Sequence, residues 1–307
     1  MSAFLLFISA VIIEKTALVL VMFLITLGIA AYSTYGERKV AAFMQDRLGP
    51  DRAGPWGILQ PLADGAKMFT KEDFIPKDSN KWLFILGPGA FIFVALMTSA
   101  VIPWGTYFTG FGLNVDLQVA NVNIGILYVM GFVSLGVYGI MIGGWASNNK
   151  YSLFGAIRAS SQMISYELAM GLSIISVILI TGTLSLRDIA DGQAGTWLGF
   201  IPHWNVFLQP LGFIIFFVNM FISSAVISTV YFGGYNFPGI DPSWLWGLMG
   251  PVVIFAKTFF FIFVFMWIRW TLPRFRYDQL MHLGWKSLIP LSILNMLLTG
   301  AGILWLG

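Results

Sequence analysis

A twenty-residue stretch without a charged side chain, TALVLVMFLITLGIAAYSTY, occupies Thr16–Tyr35. An α-helix rises about 1.5 Å per residue, so this stretch covers about 30 Å, the thickness of the hydrocarbon core of a bilayer. Charged residues stand close to both of its ends, Glu14 and Lys15 before it and Glu37 and Arg38 after it. The stretch therefore predicts a membrane-spanning helix.

The same pattern recurs along the whole chain of 307 residues. Apolar residues make up 58% of it and charged residues 10%, whereas an ordinary soluble domain has about 25% charged residues. The mean hydropathy is +0.81. The apolar runs are continuous rather than alternating, which excludes a transmembrane β-barrel. We predict one all-α membrane domain, residues 1–307, built as a polytopic transmembrane helix bundle with seven visible spans: Thr16–Tyr35, Trp82–Pro103, Ile124–Trp145, Gln162–Thr183, Val206–Phe232, Pro251–Trp270 and Leu288–Leu306.

The distribution of basic residues predicts which connections face the cytoplasm. The first connection, Gly36–Lys81, holds eight Lys and Arg residues, and the next, Trp104–Asn123, holds none. Basic connections stay on the cytoplasmic side, so the first connection is predicted to be cytoplasmic. Lys150 and Arg158 then fall inside as expected, and the connection that contains Arg187 falls outside.

This alternation fails at Val206–Phe232. The run has 27 residues, which is long for one helix and short for two. If it crosses the membrane once, Arg269, Arg276 and Lys286 face outward, against the charge rule. Either the rule has an exception here, or the run consists of two half-helices from which one crossing and a cytoplasmic turn are missing. The second interpretation is preferred, and it raises the expected number of spans to eight.

The absence of cysteine restricts the chemistry of the chain. Without thiols it can hold no cysteine-ligated iron–sulfur cluster and can form no disulfide. Its two histidines, His203 and His282, lie beside different spans, which argues against a bis-histidine haem. The net charge of +3 is too small and too dispersed to indicate a nucleic-acid partner. We therefore predict neither a metal site nor a catalytic centre within this chain alone.

The first connection contains the most informative polar residues. Glu37 and Arg38 follow the first span directly, and they are either interfacial anchors or residues that reach the protein interior. Glu37 is unusual as an anchor because a carboxylate gains nothing from anionic lipid. In Pro55–Phe69 the apolar residues share one face of a helix and the charged residues share another, which predicts an amphipathic interfacial helix on the cytoplasmic side. Asp64 lies on its polar face and could instead face a polar cavity.

Two charged residues fall inside predicted spans. An ionised carboxylate in hydrocarbon costs several kcal/mol, so Glu167 is protonated or faces a polar interior. It is either a neutral acid hydrogen-bonded to a neighbouring helix or a member of a proton relay. Lys257 either extends its ammonium toward the interface or pairs with an acid of that relay.

Three blocks of sequence resemble the H subunit of bacterial NADH:quinone oxidoreductase, respiratory complex I. They occur in the family's order and together extend over nearly the whole chain. The first block contains the Glu37-Arg38-Lys39 step, the Arg47-Leu48-Gly49-Pro50 turn and LQPLADGAK at Leu59–Lys67; the others are RASSQMISYEL at Arg158–Leu168 and PRFRYDQLM at Pro273–Met281.

The resemblance implies a subunit that joins the membrane arm to the redox arm and forms much of the quinone chamber. It assigns to the chamber Glu37, Arg38, Arg47, Asp64 and Arg274. The predicted proton relay contains Glu167, Asp64 and Lys257. The predicted docking loop, which faces the redox subunits, contains Arg276, Tyr277 and Asp278.

The resemblance also implies the surroundings of the chain. The expected enzyme is a proton-pumping translocase in the bacterial cytoplasmic (inner) membrane, with quinone as its substrate and the large charged loops in the cytoplasm. No cofactor is expected to be covalently bound here. NADH, flavin and iron–sulfur clusters would belong to partner subunits, among them the redox subunits with the terminal cluster and small membrane subunits. The alternative is a membrane anchor subunit of a related membrane-bound hydrogenase complex. An independent ion transporter is disfavoured because no inverted repeat is evident.

The chain departs from this family at one point. Relatives carry a cytoplasmic loop rich in glutamate between their fifth and sixth spans, and here the loop and parts of both flanking helices are missing between residues 217 and 218. Either a segment of the protein is missing from the sequence at Phe217/Val218, or the protein truly lacks it. The first explanation is preferred because charge alternation independently requires another crossing there.

Overall fold

The computed structural model describes residues 2–110, 114–197, 201–219, 224–271 and 276–306. The chain divides into two compact units, Met1–Pro76 with Phe259–Arg274, and Lys77–Thr258 with Phe275–Gly307. The first unit contains helix α1 (Ser2–Met44), a 3₁₀ turn (Pro55–Gly57) and helix α2 (Gln60–Thr70). Helix α10 (Met249–Thr271) contributes residues to both units.

The second unit contains the remaining described elements. Its helices are α3 (Lys81–Ser99), α4 (Gly125–Ala146), α5 (Lys150–Thr181), α6 (Leu186–Gly192), α7 (Asn205–Leu208), α8 (Pro210–Asn219), α9 (Ser224–Tyr231), α11 (Tyr277–His282) and α12 (Ile289–Leu306). A π-helical turn, Leu283–Leu288, joins the last two. Strand β1 (Tyr107–Phe108) pairs antiparallel with β2 (Val115–Asp116), and β3 (Thr196–Trp197) pairs with β4 (Ile201–Pro202).

Six of the described helices are long and apolar enough to cross a membrane, which confirms an all-α polytopic membrane protein. They are Ile12–Met44, Lys81–Ser99, Gly125–Ala146, Lys150–Thr181, Met249–Thr271 and Tyr277–Trp305. Each corresponds to one of the seven predicted spans. Some of them extend beyond the apolar run: α5 begins at Lys150, where the Asn149 side chain accepts a hydrogen bond from the Tyr151 amide. The cap, rather than the membrane boundary, sets that end of the helix.

The remaining predicted span, Val206–Phe232, is not one helix. It contains α7, α8 and α9, and α8 continues unbroken through residues 217 and 218. The ring of Phe213, near the start of α8, lies 5.4 Å from that of Phe232, just after the end of α9. Phe216 lies 5.3 Å from Tyr231. The two short helices therefore lie side by side rather than forming one continuous span, and the missing crossing between the two halves stays a prediction.

The core of the second unit lies around this α8–α9 hairpin. Fully buried apolar side chains come from α8, α9 and α10, namely Ile215, Phe216, Ile227, Val230, Tyr231 and Ile254. Helix α3 packs on α4 with its backbone close to the other backbone, since a Cβ on Gly87 would lie 2.9 Å from the Gly139 carbonyl oxygen. Within a bilayer the hydrophobic effect does not drive helices together, because lipid tails are themselves apolar. Small residues let the two backbones approach closely, and the resulting van der Waals contacts stabilise the pair.

Candidate functional site

The end of α1 binds the amphipathic helix α2 through Arg38 and Asp64. The Arg38 guanidinium lies 2.7 Å from the Asp64 carboxylate, which also accepts a hydrogen bond of 2.9 Å from the Gln60 amide. Lys67 Nζ lies 3.6 Å away on the next turn. The hydrogen bond from Gln60 and the charge of Arg38 lower the pKa of the Asp64 carboxyl below its ordinary value. Asp64 is therefore ionised at neutral pH.

The turn before α2 is fixed by a close backbone contact. Gly57 has a φ of +79°, and a Cβ there would lie only 2.2 Å from the Pro50 carbonyl oxygen. No larger residue fits without displacing the backbone. The Tyr35 hydroxyl of α1 donates to the Trp56 carbonyl at 2.7 Å. The two contacts set where α2 begins relative to α1, and so they place Asp64 within reach of Arg38.

A second ion pair engages the residue next to Arg38. Glu37 Oε1 lies 2.8 Å from a guanidinium nitrogen of Arg269 on α10. Glu37, which gains nothing from anionic lipid as an interfacial anchor, therefore has a cationic partner within the protein. From the sequence, Arg269 was informative only for topology, because nothing in a single sequence links positions 37 and 269.

The other predicted chamber residues are less informative. Arg47 donates to the Gln45 side chain at 2.7 Å and is exposed, and it joins neither ion pair. Arg274 lies outside the described residues. The paired side chains themselves are open: Arg38 is 52% exposed and Asp64 and Glu37 are each 29% exposed. The described part of the first unit therefore presents a cluster of charged side chains that remains partly exposed.

Glu167 contacts the neighbouring helix. It accepts a hydrogen bond from the Ser134 hydroxyl of α4, and it is half-buried in the span. This contact fits both predicted roles, since a neutral acid and a relay acid each need a polar partner in hydrocarbon.

Lys257 binds backbone rather than an acid. Its Nζ donates to the carbonyl oxygens of Phe232, Gly234 and Asn236 at 2.6, 2.9 and 2.6 Å. In the part of the chain that the structure describes, no carboxylate lies within 4.0 Å of this ammonium. The predicted pairing with an acid of the relay is therefore not formed in this arrangement.

The predicted docking loop is described from Arg276 onward. The side chain of Gln279 accepts from the Arg276 amide at 3.0 Å and thereby begins α11. The guanidinium of Arg158, on α5, lies 5.2 Å from the centre of the Tyr277 ring. Asp278 lines an open cleft of about 380 Å³. Its role in docking stays a prediction.

A polar network inside the second unit was not predicted from the sequence. The amide of Asn295 on α12 donates to the Ser176 hydroxyl and to the Gln209 side chain, both at 2.9 Å. Gln209 in turn donates to Thr299 at 2.7 Å. Asn295 and Thr299 are four residues apart on one face of an apolar helix. That spacing of polar residues within a span was the available signal.

The chain is similar to named proteins over most of its length. A family model described as NADH dehydrogenase matches residues 16–222 and, in a second match, residues 217–300. The NADH-quinone oxidoreductase H subunit of Flavobacterium johnsoniae is 50% identical, over 96% of this chain and 97% of the relative. An H subunit of the same enzyme from Cytophaga hutchinsonii is 51% identical over 95% and 97%, and one from Geobacter metallireducens is 41% identical over 95% and 96%.

Proposed function

The chain belongs to the NADH dehydrogenase family as an H subunit of NADH-quinone oxidoreductase, and from this premise we propose that the charged end of α1 is one wall of the quinone chamber. The chain is a membrane subunit of an enzyme complex whose other subunits are its partners. The alternative, a hydrogenase anchor, is not favoured by the names of these relatives. The proposal includes the inner membrane as location and the cytoplasm as the side of the Gly36–Lys81 connection.

One observation carries the chamber proposal: adjacent residues of α1 are paired with opposite charges from two other elements. Glu37 binds Arg269 of α10, and Arg38 binds Asp64 of α2. A quinone headgroup presents two carbonyl oxygens, which gain negative charge as electrons arrive from a partner subunit. A guanidinium that is held by a carboxylate and remains half exposed can donate hydrogen bonds to such oxygens. The exposed apolar side chains of α2, Leu62 and Phe69, suit an entrance from lipid.

The lowered pKa of Asp64 favours an electrostatic role for this residue over proton exchange. A carboxyl whose pKa is lowered in the folded chain contributes stability above its ordinary pKa. That contribution is lost only as the pH falls through the lowered value. The Arg38–Asp64 pair is therefore formed throughout the neutral range. Glu167, with a hydroxyl partner inside a span, is the proposed member of the proton relay.

The chamber proposal is tested by E37Q and D64N in the assembled complex. Each variant removes one charge from a pair and keeps the side-chain shape. We expect NADH:quinone reductase activity to fall roughly 10- to 100-fold, because charge-assisted hydrogen bonds that position the headgroup are weakened. Oxidation of NADH by a water-soluble acceptor, which does not need the quinone site, is expected to stay unchanged.

The matched control is E72Q, which neutralises an exposed carboxylate close to α2. Its quinone reductase activity should equal that of the unmodified complex. Full quinone reductase activity in both E37Q and D64N would refute the chamber assignment.

We further propose that the natural protein contains an additional segment between residues 217 and 218, which the 307-residue sequence lacks. The two family matches overlap at residues 217–222, as expected where the chain skips part of the family pattern. The alignment to the Flavobacterium relative has 346 positions, but 96% of 307 residues is about 295, so about fifty positions have no counterpart here. Helices α8 and α9, of 10 and 8 residues, are each about half the length of a membrane span.

The intact mass of the protein purified from its natural complex tests this segment. If it exists, the mass exceeds 34.1 kDa by several kilodaltons, and proteolytic peptides join residue 217 to sequence not found in the 307 residues. A mass of 34.1 kDa, with a peptide that continues directly from 217 to 218, would show that the protein lacks the segment.

A further inference from the structure

We propose that Lys257 is a tethered cation in a built monovalent-cation site, and that this site holds the connection after α9 against α10. The proposal does not depend on the quinone chamber. It concerns the connection after α9, on the side that the charge rule assigns to the outside.

The site has the composition of a cation cage. Three backbone carbonyl oxygens surround Nζ at 2.6–2.9 Å and use all three of its N–H donors. The rings of Trp204 and Phe237 lie with their centres 5.1 and 5.9 Å from Nζ. Aromatic faces attract cations through their quadrupole, and rings of backbone carbonyls can replace the hydration shell of a monovalent ion.

Two glycines give the backbone that supplies the carbonyls its left-handed turn. Gly233 and Gly234 have φ of +70° and +53°, the left-handed region that glycine adopts without strain. The Gly234 amide donates back to the Ser228 carbonyl at 2.8 Å, which ends α9. The negative end of the α9 dipole therefore faces the ammonium.

The cage is held in place by buried amides from other elements. The Gln193 side chain accepts from the amides of Gly233 and Asn205, each at 3.0 Å, and donates to the carbonyls of Thr229 and Val230. Asn236 donates from its side chain to Ala190 at 2.8 Å. Elements α6, α7, α9 and α10 therefore meet at this cage. Since the carbonyls are fixed by other groups, the cage should persist when the lysine side chain is removed.

The test is rescue of K257A by ammonium chloride in the assembled complex. Removing the side chain leaves the carbonyls without a cation, so the melting temperature should fall. Added ammonium should then raise the melting temperature with the logarithm of its concentration, as expected for a ligand that binds the folded state. Sodium chloride at equal ionic strength and tetramethylammonium chloride, which is too large for the cage, should give no such rise.

The matched control is K257M, whose unbranched side chain fills the same space without charge. It should be destabilised, and ammonium should not rescue it. If K257A does not assemble in ordinary medium, the amount assembled with and without ammonium in the medium becomes the readout. An equal response of K257A and K257M to ammonium, or no response of K257A in either experiment, would overturn the proposal.

Discussion

Replacing Arg187 by alanine should lower the free energy of unfolding of the detergent-solubilised complex by about 1–3 kcal/mol, the cost of leaving the half-buried Asp116 carboxylate without its partner. One guanidinium nitrogen of Arg187 lies 2.9 and 2.8 Å from the two carboxylate oxygens of Asp116. The side chains are only 11% and 25% exposed. Arg187 also lies 5.0 Å from the Tyr107 ring centre, and Tyr107 is the strand partner of Asp116. Its loss therefore removes the ion pair and the ring contact by which α6 binds the β1–β2 hairpin.

The controls for this prediction are D116N and the double variant R187M/D116N, each measured by thermal unfolding of the complex. The double variant removes both charges and should be closer to the unmodified protein than R187A, because no unpaired ion remains. Equal stability of R187A and the unmodified complex would show that the pair gives no net stabilisation.

The membrane-spanning part of the fold could be predicted because apolar length alone determines which segments cross a bilayer. Thr16–Tyr35 needed no tertiary information, and α1 contains it. The ends of the helices could not be predicted in this way. Hydropathy marks where the membrane ends, whereas α5 begins at a capped residue twelve positions before the predicted span Gln162–Thr183. The division of Val206–Phe232 into two shorter helices was predicted only because a single crossing would reverse the charge rule for the later connections.

At the candidate site, too, the sequence indicated individual residues but not the groups that they contact. Glu37 and Asp64 were singled out as carboxylates in unusual positions, but their partners depend on the fold. Arg269 lies 232 positions from Glu37 and carries no local signal. Lys257 was recognised as a charge within a span, yet its partners are backbone carbonyls, which every residue possesses. A single sequence does not show which backbone carbonyl oxygens a turn directs toward a buried side chain.

The substitution E167Q should abolish most proton translocation while the complex stays assembled. The amide side chain that it introduces keeps the length and the acceptor oxygen of glutamate, so the contact with Ser134 can be retained. The amide cannot bind and release a proton at that oxygen. Loss of a positioned proton donor or acceptor typically slows proton transfer roughly 10²- to 10⁴-fold. Quinone reduction is expected to fall with it, because electron transfer in a coupled enzyme proceeds only with its proton transfer.

S134A separates the relay from simple helix packing. It removes the hydroxyl partner but leaves the carboxyl of Glu167, so a purely structural contact predicts that S134A and E167Q lose stability and activity alike. A relay predicts that S134A retains most of the proton translocation, measured with a pH-sensitive dye in proteoliposomes, whereas E167Q loses it at unchanged melting temperature. If E167Q pumps at the full rate, the proton path does not include Glu167, and the Ser134 contact is a hydrogen bond that only stabilises the pairing of α4 with α5.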